Sequence, residues 1–135
     1  MRVILCCENS NGIMFNNRRV SKDTFIVQKI VEMTKDSKLW MNKYSYSIFK
    51  ENDVSNINIA ENVLIETADG EYCFVEGEPL MQCEKWIEEI VLFKWNRDYP
   101  SDFKLDIDLS AWQLKHTEEF VGNSHERITM EVYSK

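Results

Sequence analysis

The sequence predicts an α/β fold, a mixed sheet with flanking helices that closes on a C-terminal antiparallel hairpin. Three observations predict it. Val3 to Cys7 is an unbroken apolar run of β-branched and small residues, which suits a central strand covered on both faces. Between Lys22 and Thr34, Phe25, Ile26, Ile30, Val31 and Met33 recur at helical spacing. From Trp112 to Tyr133 the apolar residues alternate with period two on either side of Gly122-Asn123-Ser124, the pattern of two paired strands joined by a turn.

Taken in order, the opening strand runs into a turn at Asn11-Gly12 and a mixed loop through Arg19. Ser21 is the expected N-cap of the first helix, which places Asp23 in its first turn, aligned with Val27 and Ile30. Leu39-Trp40-Met41 reads as a short strand, followed by a turn and short helix through Phe49, then a mostly polar connection from Asn52 to Asn58. Asn62 to Glu66 and Tyr72 to Val75 read as β-like stretches about the hairpin-type pair Asp69-Gly70. Pro79 suits the first turn of a helix whose inner face is Leu80, Cys83, Trp86 and Ile87. Ile90 to Trp95 is a further strand, ended by Asp98 to Asp102. In the closing hairpin, Trp112, Leu114, His116, Glu118 and Phe120 are expected on one face, opposite Ile128, Met130 and Val132.

The 135 residues are expected to form a single domain with one core. A formal charge of −7 disfavours a nucleic acid partner, because a phosphate backbone calls for clustered Lys and Arg. The apolar runs are far too short to span a bilayer and Met1-Arg2 leads directly into a strand, so no membrane partner and a cytoplasmic location are expected. Cys6, Cys7, Cys73 and Cys83 form no C-x-x-C pair, and His116 and His125 lie far from them; no metal site is expected, and the thiols read as buried and free.

The order of elements and several local strings resemble the dihydrofolate reductase family over most of the chain. The opening strand Val3 to Cys7, the loop Asn11-Gly12 and the helix start Ser21-Lys22-Asp23 resemble the family's first strand, flexible loop and carboxylate-bearing helix. Met41-Asn42-Lys43-Tyr44-Ser45 resembles its G-R-x-T turn in outline. Asp102 through Trp112, Glu119-Phe120, Asn123-Ser124-His125 and Met130 to Tyr133 follow its closing pattern. The stretch Asn11 to Arg19 also resembles short bacterial proteins labelled ribonuclease Z, whose histidine-rich zinc motif two isolated histidines cannot supply.

The resemblance implies a catalytic role for Asp23, the carboxylate that would pair with a pterin and relay a proton, its pKa raised by burial. The same residue also suits a purely structural place in the helix dipole. Lys43, Ser45 and Gly77 fall where the family contacts cofactor phosphate, and Cys6, Asp23 and Val27 where it binds its small ligand. Several departures count against the cofactor. Asn42 replaces a glycine, only Gly77 survives of the consecutive glycines, and Glu76 and Glu78 flank it where phosphate would sit. The position of the folate-tail arginine falls at Ala60, and the length missing between Glu66 and Tyr72 would remove a strand and helix from the adenosine wall. The expectation is therefore a diverged domain that has lost NADPH-dependent reduction, carries no cofactor, and binds a small molecule or a protein partner. One alternative is an active reductase of dihydrofolate or a related heterocycle, with NADPH as its cofactor. Another is an assembly module docking through Trp40, Tyr44, Tyr46 and Trp95. Glu88-Glu89, Glu118-Glu119 and Ser124-His125 are sequence neighbours, a placement that does not by itself make a hydrolase site.

Overall fold

A computed structural model describes residues 1–52 and 54–135, so position 53, within the expected Asn52 to Asn58 connection, lies outside the described residues. The apolar opening run forms β1 (Arg2–Cys7), flanked in parallel by β6 (Tyr72–Phe74) and β7 (Glu89–Lys94). Beyond β6 lie β4 (Leu39–Met41) and then β5 (Ile57–Ile59), also parallel. On the other side β10 (Ile128–Ser134) runs antiparallel to β7, and β9 (Gln113–Phe120) closes the edge. Among the described residues the sheet order is β5-β4-β6-β1-β7-β10-β9. The mixed sheet with its closing hairpin is the architecture the sequence predicts.

Because neighbouring residues of a strand face opposite ways, β1 feeds two cores. Val3, Leu5 and Cys7 join Cys73, Ile90, Leu92 and Trp112 on one face. Ile4 meets Phe74, Val91, Phe93 and the inner stripe of α1 (Thr24–Met33), namely Ile26, Val27 and Ile30, on the other. No helix among the described residues is long and apolar enough to cross a membrane.

Several elements differ from the sequence expectation. The helix begins later: Asp23, extended at φ −154°, is the N-cap and accepts from the Phe25 N–H, while Ser21 lies outside the helix. The loop after Asn11-Gly12 contains β2 (Gly12–Phe15) and β3 (Arg18–Arg19), turned by Asn16 and Asn17 at φ 53° and 62°. Two left-handed residues in a two-residue turn match the twist of a hairpin, and asparagine tolerates that backbone. With β8 (Phe103–Lys104), these strands make a small second sheet.

The polar connection hides β5, whose Ile57 and Ile59 are too few to show alternation. Asn62 to Glu66 is not β-like: Val63–Glu66 is a short helix, α3. Gly70, at φ 78°, turns the chain from α3 into the parallel strand β6, so Asp69-Gly70 joins no hairpin. After Pro79 the chain makes a 3-10 turn, Met81–Trp86, that buries Leu80, Cys83 and Ile87 but leaves Trp86 57% exposed.

A bulge divides the predicted face of β9. Val132 pairs with His116, but Tyr133 pairs with Leu114, so Lys115 is the extra residue. His116, Glu118 and Phe120 share the face of Val132, whereas Trp112 and Tyr133 pack against the opposite core.

Candidate functional site

In the loop leaving β6, the main-chain amides around Gly77, which the resemblance assigns to cofactor phosphate, are occupied by carboxylates, Glu78 from the loop itself and Asp106 from beyond β8. Glu78 Oε2 accepts from the amides of Glu76 and Gly77, each at 3.2 Å, while Oε1 accepts from Asn42 Nδ2 at 2.8 Å. Asp106 accepts from the amides of Leu80, at 2.9 Å, and Met81, at 3.0 Å. Burial holds the Glu78 carboxyl above its usual range. Gly77 is exposed, and a Cβ placed there would meet only Met14 Cε at 3.7 Å, so no close approach calls for glycine.

The short helix α2 (Lys43–Tyr46) starts at its N-cap Asn42, whose Oδ1 accepts from the Ser45 amide. Ser45 is fully buried and donates to Glu76 Oε1 at 2.9 Å. Arg19, from β3, completes that pair by donating from Nε and Nη2 to the two Glu76 oxygens at 2.8 and 2.9 Å. Its guanidinium also stacks 4.2 Å from the Tyr44 ring centroid. Glu76 is thus a neutralised carboxylate rather than the free repelling charge expected from sequence. Lys43 points into solvent as an exposed first residue of α2, apart from this cluster.

Asp23 anchors a second network. Its carboxylate, with a fully buried side chain, accepts from the amides of Asn123 and Ser124 at 2.9 and 2.8 Å, from Ser124 Oγ and from His125 Nδ1, both at 3.1 Å. Burial alone pushes this carboxyl up, but the donors from Asn123, Ser124, His125 and Phe25 outweigh it and hold the group well below the usual carboxylate range. This corrects the expected upward shift: Asp23 is fixed as an anion, a state unsuited to donating a proton near neutral pH. Since an ionised carboxylate only accepts, His125 donates from Nδ1, while Nε2 lies within hydrogen-bond distance of Ser21 Oγ at 3.1 Å and Tyr99 OH at 3.0 Å. The imidazole stacks on Trp95 with centroids 4.6 Å apart.

Hydroxyl, imidazole and carboxylate therefore stand in the order of a nucleophile, its base and the group that orients the base. Two cavities adjoin this network. Cys6, Asp23 and Val27, the expected ligand-binding residues, do line one cavity together, but its volume is about 20 Å³. That is room for about one water, but Asp23 and Val27 also line, with Gln28, Ile48, Asn123 and Ser124, a second and open groove of about 590 Å³. Ile48, Phe49 and the Arg19–Glu76 pair border the smaller cavity. Burial also raises the Cys6 thiol well above its usual range, which leaves it an inert thiol.

The sequence reading missed Arg19, Tyr99 and the functional partners of His125. Ser21 and His125 are 104 residues apart and no local pattern links them. It also placed Ser124 and His125 as neighbours without mutual geometry, whereas Ser124 Oγ lies 3.1 Å from His125 Nδ1 around their shared partner Asp23. The proposed aromatic patch is dispersed: Trp95 is core, Trp40 is half-buried with Nε1 donating to Glu71, and Tyr44 lies beneath Arg19.

No family model and no curated protein matches the chain. Among solved structures, it is similar to dihydrofolate reductase from Enterococcus faecalis, solved in complex with NADP(H) and RAB-propyl. The two agree with a TM-score of 0.68 at 12% identity, over 98% of this chain and 94% of that one. The likeness shows a dihydrofolate-reductase-like fold, as the order of elements implied.

Proposed function

Starting from this dihydrofolate-reductase-like fold, we propose a domain that has given up NADPH-dependent reduction and serves to bind a small ligand or a protein partner. One observation carries the reading: the amides of Glu76, Gly77, Leu80 and Met81 are already bound by the carboxylates of Glu78 and Asp106. A phosphate entering here would have to displace two charge-assisted interactions and then face the displaced anions. The cation nearest the loop, Arg19, is committed to Glu76. The donors that hold the Asp23 carboxyl as an anion further support the loss of a proton relay onto a heterocycle.

The similar reductase was solved with NADP(H), which makes an active NADPH-dependent enzyme the reading to test against. Purified protein is titrated with NADPH by fluorescence, and NADPH absorbance is followed in the presence of dihydrofolate. The expected result is no saturable binding below about 1 mM, the range left to a few weak contacts, and no oxidation above the buffer rate. Micromolar binding together with turnover that Asp23→Asn abolishes would restore the reductase.

A further inference from the structure

On the sheet face opposite α1, the shortness of α3 and of the Met81–Trp86 turn leaves a groove of about 770 Å³. That lies within the roughly 300–1,000 Å³ of sites that bury a drug-sized ligand. Val63 and Cys83 from the core form its floor, while Ile65, 79% exposed, and Trp86, 57% exposed, stand on its walls. Large apolar side chains left in water around a concavity mark a binding site more often than a bare surface. Its charged side chains among the described residues are Glu61, Asp69 and Glu78, with no Lys or Arg, and the terminal ammonium of Met1, which also belongs to the lining, is paired with Glu88 at 2.6 Å. Glu78 is fixed in place by the donors from Asn42, Glu76 and Gly77, so it offers a preset carboxylate at one end of the groove.

We propose that this groove binds a cationic amphiphile, an aromatic or aliphatic body of drug size that rests on Val63 and Cys83 between Ile65 and Trp86 and pairs an amino or amidinium group with Glu78. An apolar body covers the exposed Ile65 and Trp86, and the cation answers a groove whose charged side chains are all carboxylates. A second copy of the chain is a poorer occupant, because it carries the same net charge of −7 and the same acidic groove. The inference rests on the ligand-binding role proposed above but uses a different site from the closed cavity beside Asp23.

The test uses three matched probes, 4-phenylbutylamine, 4-phenylbutan-1-ol and 4-phenylbutyrate, titrated into the full chain and followed by amide chemical shifts. The amine is expected to bind about tenfold or more tighter than the alcohol, the carboxylate weakest, with shifts at Val63, Ile65 and Trp86. Glu78→Gln should bring amine and alcohol to within about threefold of each other. Ile65→Arg, at an exposed wall position that tolerates substitution, should abolish amine binding by placing a like charge at the mouth. Equal affinity for the three probes, or amine binding that survives Ile65→Arg, overturns the proposal. So does a concentration-dependent dimer in light scattering that Ile65→Arg dissolves, which would make the groove a self-interface. NADPH that displaces the amine overturns it as well, whereas NADPH turnover with amine selectivity intact overturns only the loss of reduction.

Discussion

At Asp23 two forces oppose each other. Taking the carboxylate out of water favours its neutral form, and five hydrogen bonds, from Phe25, Asn123, two groups of Ser124 and His125, favour the anion. The anion wins, so the folded pKa lies below the unfolded value and the group stabilises the fold at every pH above about 4. That contribution is lost as pH falls through the folded value. Asp23→Asn should cost about 2–4 kcal/mol at pH 7, because buried donors lose a charged acceptor, and should flatten the acid limb of stability measured by urea denaturation between pH 7 and pH 2. An unchanged acid limb would place the titrating group elsewhere. Position 23 was legible in the sequence as a carboxylate near a helix start. Its partners were not, because Asn123, Ser124 and His125 come to it from the far hairpin turn.

Among the elements, the Gly122 turn and the start of α1 are one device. A Cβ on Gly122 would lie 2.6 Å from Asp23 Oδ2 and 2.6 Å from Ile128 Cδ1. Ile128 can shift its tip, but the Asp23 carboxylate is held by its donors. Gly122→Ala should therefore destabilise by about 1–3 kcal/mol, as overpacking does, and the loss should shrink when combined with Asp23→Asn in a double-mutant cycle. The β2–β3 hairpin is pinned in a different way, through Arg19 on the buried Glu76. Arg19→Ala leaves that carboxylate facing only Ser45, and a loss of about 2–4 kcal/mol is expected, with faster hydrogen exchange in β2 and β3 than in β1. Equal exchange rates in wild type and variant would show that the hairpin is held by its strands alone. The Asn16-Asn17 turn of that hairpin is readable in retrospect. The β9 bulge is not, since the sequence alternates without a break through Lys115 while the extra residue there moves Trp112 and Leu114 to the opposite face from His116.

For the whole molecule, β1, like its neighbours β6 and β7, is shared by both cores. Ile4 and Leu5 are fully buried on opposite faces of it. Ile4→Ala and Leu5→Ala should each cost about 2–5 kcal/mol, lowering the urea midpoint with an unchanged m value, the sign of one cooperative unit. A reduced m value or two transitions in either variant would mean that the cores unfold separately. The same parallel arrangement gathers the carboxyl ends of β1, β4 and β6, where an α/β sheet offers its ligand crevice. Here Arg19, Glu76, Ile48 and Phe49 leave only about 20 Å³ against Cys6, and the larger grooves lie beside Asp23 and, across the sheet, beside α3.

The sequence by itself determined the strand spine, the helix stripe, the closing hairpin and hence the fold class, because burial imposes periods of two and 3.6 that need no partner to be seen. It also carried the departures at Asn42, Glu76, Gly77 and Glu78 on which the proposed loss of cofactor binding rests. Only the tertiary structure decided what those residues do. Glu78 caps its own loop, Glu76 meets Arg19 across 57 residues, and Asp23 meets the 123–125 turn across about 100. Charge and hydrogen bonding act through distance in space, and a sequence records only distance along the chain.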